Sequence, residues 1–391
     1  MHNAYSQSRP GTAGSGDLGR ILMATGVVIS ADSHVMEPAD LWTGRLPEAL
    51  RDQAPEVRKN ADRPGYSFHA PGLPPSQVSG AWGAGRSGDD LKQHLENAGY
   101  ESARPSGWDP GERLKDMELD GVSAEVLYGT LGMRLFRMTD GELQRAFFAV
   151  YNDWLAEFCA YSPNRLHGLG LISLWDVEQG VRELERCAEL GLKGAMIWGY
   201  PPADMPYYHE RYDALWAAAQ SLKLPLSLHI VTGMGDESRV DFTAAAVRYM
   251  HMIHEVQRSV SQLVLGGVLE RFPGVQIVGA ECDIAWLPHW MQRMDHANAK
   301  FGALMDVKLS MLPSDYVRRQ VWVTFMDDAI GAGNLEAIGP DTFMWGSDFP
   351  HTDSTWPNSQ TVLDKNLAGV SEGVVRKVLH DNAAALYHIS L

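Results

Sequence analysis

Four apolar runs in this chain end in residues able to do chemistry. Val27-Val-Ile-Ser-Ala31 ends in Asp32-Ser-His34, with a Pro at 38 that stops regular structure. Pro225-Leu-Ser-Leu leads to His229, Val275-Gln-Ile-Val-Gly-Ala leads to Glu281, and Thr342-Phe-Met-Trp-Gly-Ser leads to Asp348, with His351 three residues on. Side chains alternate along a strand, so Ser30, Asp32 and His34 are expected on one face. A carboxylate and an imidazole at that spacing can grip one divalent cation. Two residues before the tips stand Ser30, Ser227, Gly279 and Gly346, small residues that leave room for an ion and a ligand. Asp32, His34, His229 and Asp348 together offer oxygen and nitrogen donors and no thiolate. Such a set suits Zn²⁺ or Mn²⁺, and two carboxylates tilt it toward Mn²⁺ or a hard-leaning Zn²⁺ site.

The elements that must position these groups alternate in type. Strand-like runs fall near 28, 126, 170, 196, 227, 278, 323 and 345. Helical patterns separate most of them, at 112–119, 141–161, 177–190, 212–222, 256–272 and 286–301, with a last helix from about 373 to 387. Strands alternating with helices at this spacing run parallel, and eight of them point to a (β/α)₈ TIM-like barrel, whose working residues stand at the C-terminal tips of the strands. Residues 1–24, rich in Gly, Ser, Ala and Thr, read as a flexible tail, and 25–391 as the barrel. Between 43 and 110 hydrophobic periodicity is lost in stretches of loop composition, a long insertion after the first strand that reads as a lid or wall over the site. Gly83-x-Gly85-x-x-Gly88 matches a dinucleotide fingerprint as a string only, since no strand precedes it.

Composition narrows the function. The 391 residues carry a formal net charge of −16 and 21% charged residues, with no Lys/Arg run, which argues against a nucleic-acid surface. No run of about 18 apolar residues is present to span a membrane. Cys159, Cys187 and Cys282 are too few and scattered for a disulfide framework and suit a reducing cytoplasm. No Gly-x-Ser-x-Gly elbow, phosphate-binding loop or Cys-x-x-Cys occurs. His251 with His254, and His289 with His296, read as surface or packing residues. Trp82, Trp108, Trp198, Trp286 and Trp356 suggest walls for an aromatic or flat apolar molecule; Trp198, Trp286 and Arg113 are expected to bind substrate.

With those residues in hand, the chain resembles the amidohydrolase superfamily, in the branch called amidohydrolase family 2 that includes aminocarboxymuconate-semialdehyde, resorcylate and carboxyvanillate decarboxylases. The matching pieces are Asp32-Ser-His-Val-Met-Glu-Pro38, Arg113-Leu-Lys-Asp-Met-Glu-Leu-Asp-Gly121, the His229 strand, Gly267-Val-Leu-Glu-Arg-Phe-Pro-Gly274, Trp345-Gly-Ser-Asp-Phe-Pro-His351 and Asn382-Ala-Ala-Ala-Leu-Tyr387. The resemblance implies one divalent metal held by Asp32, His34, His229 and Asp348, and a homo-oligomer, dimer or tetramer. It implies a non-oxidative decarboxylase of a small aromatic or enolic carboxylic acid, with Asp348 as proton carrier and Glu281 and His351 positioning the substrate. A hydrolase using metal-activated water on an amide, ester, lactone or C–C bond is the alternative, and a ligand-binding barrel without catalysis the third. Two positions depart from the pattern: Asp32 stands where Glu or His is usual, and Glu281 where the semialdehyde decarboxylase has a His.

Overall fold

The structure, a computed structural model, describes residues 26–391 other than 63 and 235–241; the expected tail at 1–24 lies outside them. Eleven strands are present among these residues: β1 (Ile29–His34), β2 (Glu56–Lys59), β3 (Tyr66–His69), β4 (Ser76–Gln77), β5 (Ala124–Tyr128), β6 (Leu166–Leu171), β7 (Gly194–Ile197), β8 (Leu226–His229), β9 (Ile277–Ala280), β10 (Val321–Phe325) and β11 (Phe343–Trp345). Eight of them form one sheet in the order β1-β5-β6-β7-β8-β9-β10-β11, with every paired neighbour parallel. The ring is drawn shut just past the end of β11, where Asp348 N donates to Asp32 O at 2.9 Å and His34 N to Phe349 O at 2.7 Å. These are the eight strands expected from the sequence, and the architecture is the (β/α)₈ barrel.

Helices surround the barrel because their apolar stripes need a partner and their ends are marked in the sequence. In α1 (Pro110–Asp120) the Asp109 carboxylate accepts the N–H groups of Gly111 and Glu112, Pro110 opens the first turn, and Gly121 closes it at φ 74°. Asp140 caps α2 (Gly141–Ala160) and Asp176 caps α3 (Val177–Glu189) in the same way. The helix expected over 256–272 begins earlier, as α4 (Phe242–Leu265), and breaks at Gly267, which takes φ 74° before a short turn over Val268–Arg271.

Two expectations are corrected. The 43–110 insertion is not all loop: β2, β3 and β4 pair antiparallel in a small separate sheet, and Gly88–Asn97 is helical. Strands this short draw their order from cross-strand pairing, which leaves little periodicity to read. The strict alternation assumed along β1 also fails. Ser30 pairs with Glu125 and Ser33 with Leu127, so the register slips between them. An irregularity of this kind re-aims side chains, and Ser30 Oγ lies 2.8 Å from Ser33 Oγ and donates to Asp32 O at 3.1 Å.

Candidate metal centre and active site

The strand tips bring Asp32, His34, His229, Glu281, Asp348 and His351 to the C-terminal mouth of the barrel. His34 Nε2 lies 3.5 Å from Asp32 Oδ1 and 3.3 Å from Asp348 Oδ1. His229 Nε2 lies 3.7 Å from Asp32 Oδ1 and 3.4 Å from Glu281 Oε2. The ligand atoms fall into two overlapping groups that share His34, one with Asp32 and His229 and one with Glu281, Asp348 and His351. Asp348 therefore joins the centre through His34, on the side of Glu281 and His351.

Each imidazole is held from behind. His34 Nδ1 is 2.8 Å from Gly129 O, and His229 Nδ1 is 2.9 Å from Ile230 O. A carbonyl can only accept, so both rings carry a proton on Nδ1 and turn Nε2 toward the mouth. Asp32 is split in the same sense. Its Oδ2 accepts from Glu281 N at 2.9 Å and Thr324 Oγ1 at 2.8 Å, while its Oδ1 faces the imidazoles. Asp32 Oδ1, His34 Nε2, His229 Nε2 and both carboxylate oxygens of Asp348 are buried without an aligned hydrogen bond. His351 Nδ1 stands 2.8 Å from Asp348 Oδ1, and its Nε2 3.1 Å from Thr130 Oγ1.

So many unsatisfied polar atoms in one buried place are costly unless they share a partner. Oxygen and nitrogen donors without sulfur, each imidazole oriented from its far side, fit a hard or borderline divalent cation. The backbone is strained at the same place: Val231, Glu281, Asp283 and Asp348 have φ of 73°, 53°, 52° and 55°. That region costs a residue with a side chain about 1–3 kcal/mol and is commonly retained at functional sites.

The protons follow burial and neighbours. Burial pushes the Asp348 carboxyl well above its ordinary value, with Asp32 adding to the effect, and pushes Glu281 up likewise, with Asp348 next. For Asp32, burial works against the charge, but His229 and His34 overcome it and hold the carboxyl below the usual range. Burial also opposes a charge on His229, yet Asp32 and Glu281 raise it to about 9. His34 and His351 go to about 3, first by burial and then by repulsion from neighbouring imidazoles.

The small residues below the tips play separate parts. Ser227 sits under His229 and bonds Tyr128 Oη at 3.0 Å. A Cβ on Gly346 would come 2.4 Å from Asp32 Cβ, so glycine there admits the metal-facing carboxylate. Gly279 does not open the mouth as expected: its missing Cβ points to Val256 of α4, at 2.9 Å.

The expected substrate contacts divide. Arg113 is fully buried, and its guanidinium donates to Glu125 Oε2 (2.6 Å), His34 O (2.7 Å) and Phe349 O (3.3 Å). Its donors thus tie β1 to the chain after β11, a positioning part in place of the substrate contact expected. Trp198 is buried at the end of β7 with Nε1 bonded to Phe136 O, and Trp286 is half-buried with Nε1 on Cys282 O and Asp283 O. Thr324, which anchors Asp32, was not singled out from the sequence, although a Thr one residue from the end of an apolar strand was a signal.

A parallel eight-stranded barrel with Asp-x-His on its first strand, His on the fifth and Asp on the eighth has the architecture of an amidohydrolase. The chain belongs to that family: the Amidohydrolase family (Amidohydro_2) matches residues 33–389. Gamma-resorcylate decarboxylase of Polaromonas sp. strain JS666 is 28% identical over 211 residues, covering 51% of this chain and 64% of that one. An amidohydrolase structure from Mycobacterium avium subsp. paratuberculosis K-10 superimposes with a TM-score of 0.72 at 19% identity, over 92% of this chain and 99% of that one. The 5-carboxyvanillate decarboxylase of Novosphingobium aromaticivorans, solved with manganese and 4-hydroxy-3-methoxy-5-nitrobenzoic acid, gives 0.66 at 19% identity, over 93% and 96%.

Proposed function

We propose that this protein is a metal-dependent decarboxylase of a small aromatic or enolic carboxylic acid, with Mn²⁺ preferred over Zn²⁺. The observation that carries the reading is the set of buried, unpaired donors on Asp32, His34, His229 and Asp348 at one barrel mouth. The relative from Polaromonas and the manganese-bound neighbour support the reaction class and the metal. Asp32, His34 and His229 would hold the ion, with Asp348 beside them on the substrate side. A divalent ion bound there supplies Lewis-acid charge that draws electron density from the carboxylate and its neighbouring oxygen.

The protein's own groups handle the proton. Asp348 passes one to the carbon that bears the carboxylate; the C–C bond breaks, its electron pair returns to the ring, and CO₂ leaves. Solvent then restores the proton on Asp348. His351, 2.8 Å from Asp348 Oδ1, holds that carboxyl in place. Glu281, with 11% of its side chain exposed, meets the substrate at the open side. Residues 43–110 serve as the wall over the mouth: Gly80 O accepts from Thr352 N at 3.0 Å, and Ala84 N donates to Pro350 O at 3.1 Å, both in the loop that follows Asp348. Three free, buried cysteines support a cytoplasmic setting. No helix among the described residues is long and apolar enough to cross a membrane.

Glu281 also favours a second reading. A carboxylate 3.4 Å from His229 Nε2 can serve as auxiliary base for water, as a hydrolase needs. Protein purified without chelator and loaded with Mn²⁺ is to be offered hydroxybenzoates in one set, aryl amides and lactones in the other. Release of CO₂ from a hydroxybenzoate is expected; cleavage of amides or lactones alone would overturn the decarboxylase assignment. Failure to retain stoichiometric metal would overturn the metal centre itself.

A further inference from the structure

We infer that Glu37, remote from the reacting groups, is a positioning residue that orients both His34 and His351 through one turn of backbone. The inference rests on the metal-centre reading above. Glu37 is fully buried three residues past His34. Its Oε1 accepts the N–H of Thr130 at 3.2 Å and of Gly132 at 2.8 Å, and its Oε2 accepts that of Leu131 at 2.8 Å. One carboxylate thus takes three consecutive amides just after β5.

That turn has two other outputs. Gly129 O is the acceptor for His34 Nδ1, and Thr130 Oγ1 is the partner of His351 Nε2. The two rings lie 4.0 Å apart and tilted by 32°, so a shift of the turn moves both. The fit is close enough to restrict sequence: a Cβ on Gly129 or Gly132 would stand 3.0 Å from Glu37 Oε1. Tyr100 of the insertion fixes the other end of the device by donating to Glu37 O at 2.7 Å. Without the carboxylate, three buried N–H groups lose their acceptor and the turn relaxes. His34 then loses the carbonyl that keeps its proton on Nδ1 and its lone pair on Nε2. Groups that orient a metal-binding imidazole are worth about 10- to 100-fold in metal affinity.

The test compares wild type, Glu37→Gln, Glu37→Asp and Asp120→Asn. Asp120 is a control of the same kind, a buried carboxylate that accepts from Ser359 N at 3.0 Å away from the mouth. Two quantities are read: ¹⁵N-imidazole spectra of metal-free protein, with His34 assigned through His34→Asn, and the Mn²⁺ dissociation constant. Wild type should show a single Nδ1–H tautomer at His34. Glu37→Gln should mix tautomers and weaken Mn²⁺ about 10- to 100-fold, with Glu37→Asp between the two. Asp120→Asn should lower the melting temperature while changing neither reading. A folded Glu37→Gln with the wild-type tautomer and Mn²⁺ affinity within twofold overturns the inference; should that variant not fold, Glu37→Asp decides on the same readings. The spectra need neither metal nor turnover, so a protein that released no CO₂ would defeat the decarboxylase reading and leave this one to be judged separately.

Discussion

Asp348 donates its backbone N–H to the backbone carbonyl of Asp32 at 2.9 Å. Two carboxylates more than 300 positions apart in the chain are therefore fixed to each other by main chain, where side-chain substitution disturbs them least. Their chemistry differs because their surroundings do. Asp32 has one oxygen taken by Thr324 and the Glu281 amide, whereas both oxygens of Asp348 are without an aligned partner. Asp348→Asn keeps the shape and removes the transferable proton. Its kcat is expected to fall about 10²- to 10⁴-fold while Mn²⁺ still binds through Asp32, His34 and His229. Steady-state kinetics beside a metal titration check this; a kcat within tenfold of wild type would exclude Asp348 as proton carrier.

Gly346 is the second point at which these ends of the chain meet. Alanine there places a methyl 2.4 Å from Asp32 Cβ and 3.0 Å from the Asp32 backbone. Backbone cannot yield as a long side chain does, so Gly346→Ala should cost about 1–3 kcal/mol of stability and weaken Mn²⁺. Gly44→Ala meets nothing within 4 Å and should be neutral or slightly stabilising. Urea unfolding of the two variants compares them directly. Equal stability would mean that Asp32 moves aside without penalty.

The barrel was legible because each strand has an apolar run closed by Gly, Pro or a charged tip, and each long helix a marked end such as Asp109-Pro110 or Asp140. Asp32, His34, His229, Glu281 and Asp348 were found by the same signal, polar residues where an apolar run stops. What stayed hidden depends on contacts between distant segments. The slip between Ser30 and Ser33 is a matter of β1 against β5. Gly279 and Gly346 are alike in sequence, yet one meets helix α4 and the other Asp32. Arg113 has the chemistry of a substrate ligand, yet its partners are Glu125 and two backbone carbonyls brought in from distant segments. Glu37 lay inside a recognised motif, but its amide partners are more than 90 positions away.

His167 on β6 should make the protein acid-sensitive away from the mouth. It is 3% exposed with Nε2 3.2 Å from Asn164 O, and burial pushes its pKa from 6.5 down to about 4. Between those values the unfolded chain takes up a proton that the folded chain refuses, so stability falls as pH drops through the window. By pH 5 the loss from this residue is about 2 kcal/mol. His167→Gln removes the titration, so its unfolding free energy should change less between pH 7 and pH 5 than that of wild type, by about that amount. Parallel slopes for the two proteins would show that His167 protonates without cost.

Arg134 supplies charge that nothing in the described protein neutralises directly. Its Nη1 donates to Ser76 Oγ at 2.6 Å, and no carboxylate among the described residues lies at ion-pair distance. Burial, and then the charge of Arg248, pushes the guanidinium pKa down to about 10, and its field also reaches His351. A half-buried cation in this state gains when an anion arrives, since hydrogen bonds to charged groups contribute about 1.5–3 kcal/mol each. Arg134 is thereby expected to meet the anionic end of the substrate, on the turn that also carries Thr130. Arg134→Met should raise KM at least about tenfold with a smaller change in kcat. Arg134→Lys should recover only part, because an ammonium lacks the planar fork that matches a carboxylate. An unchanged KM in Arg134→Met, with the variant folded and Mn²⁺ bound, would show that the substrate's charge is met elsewhere.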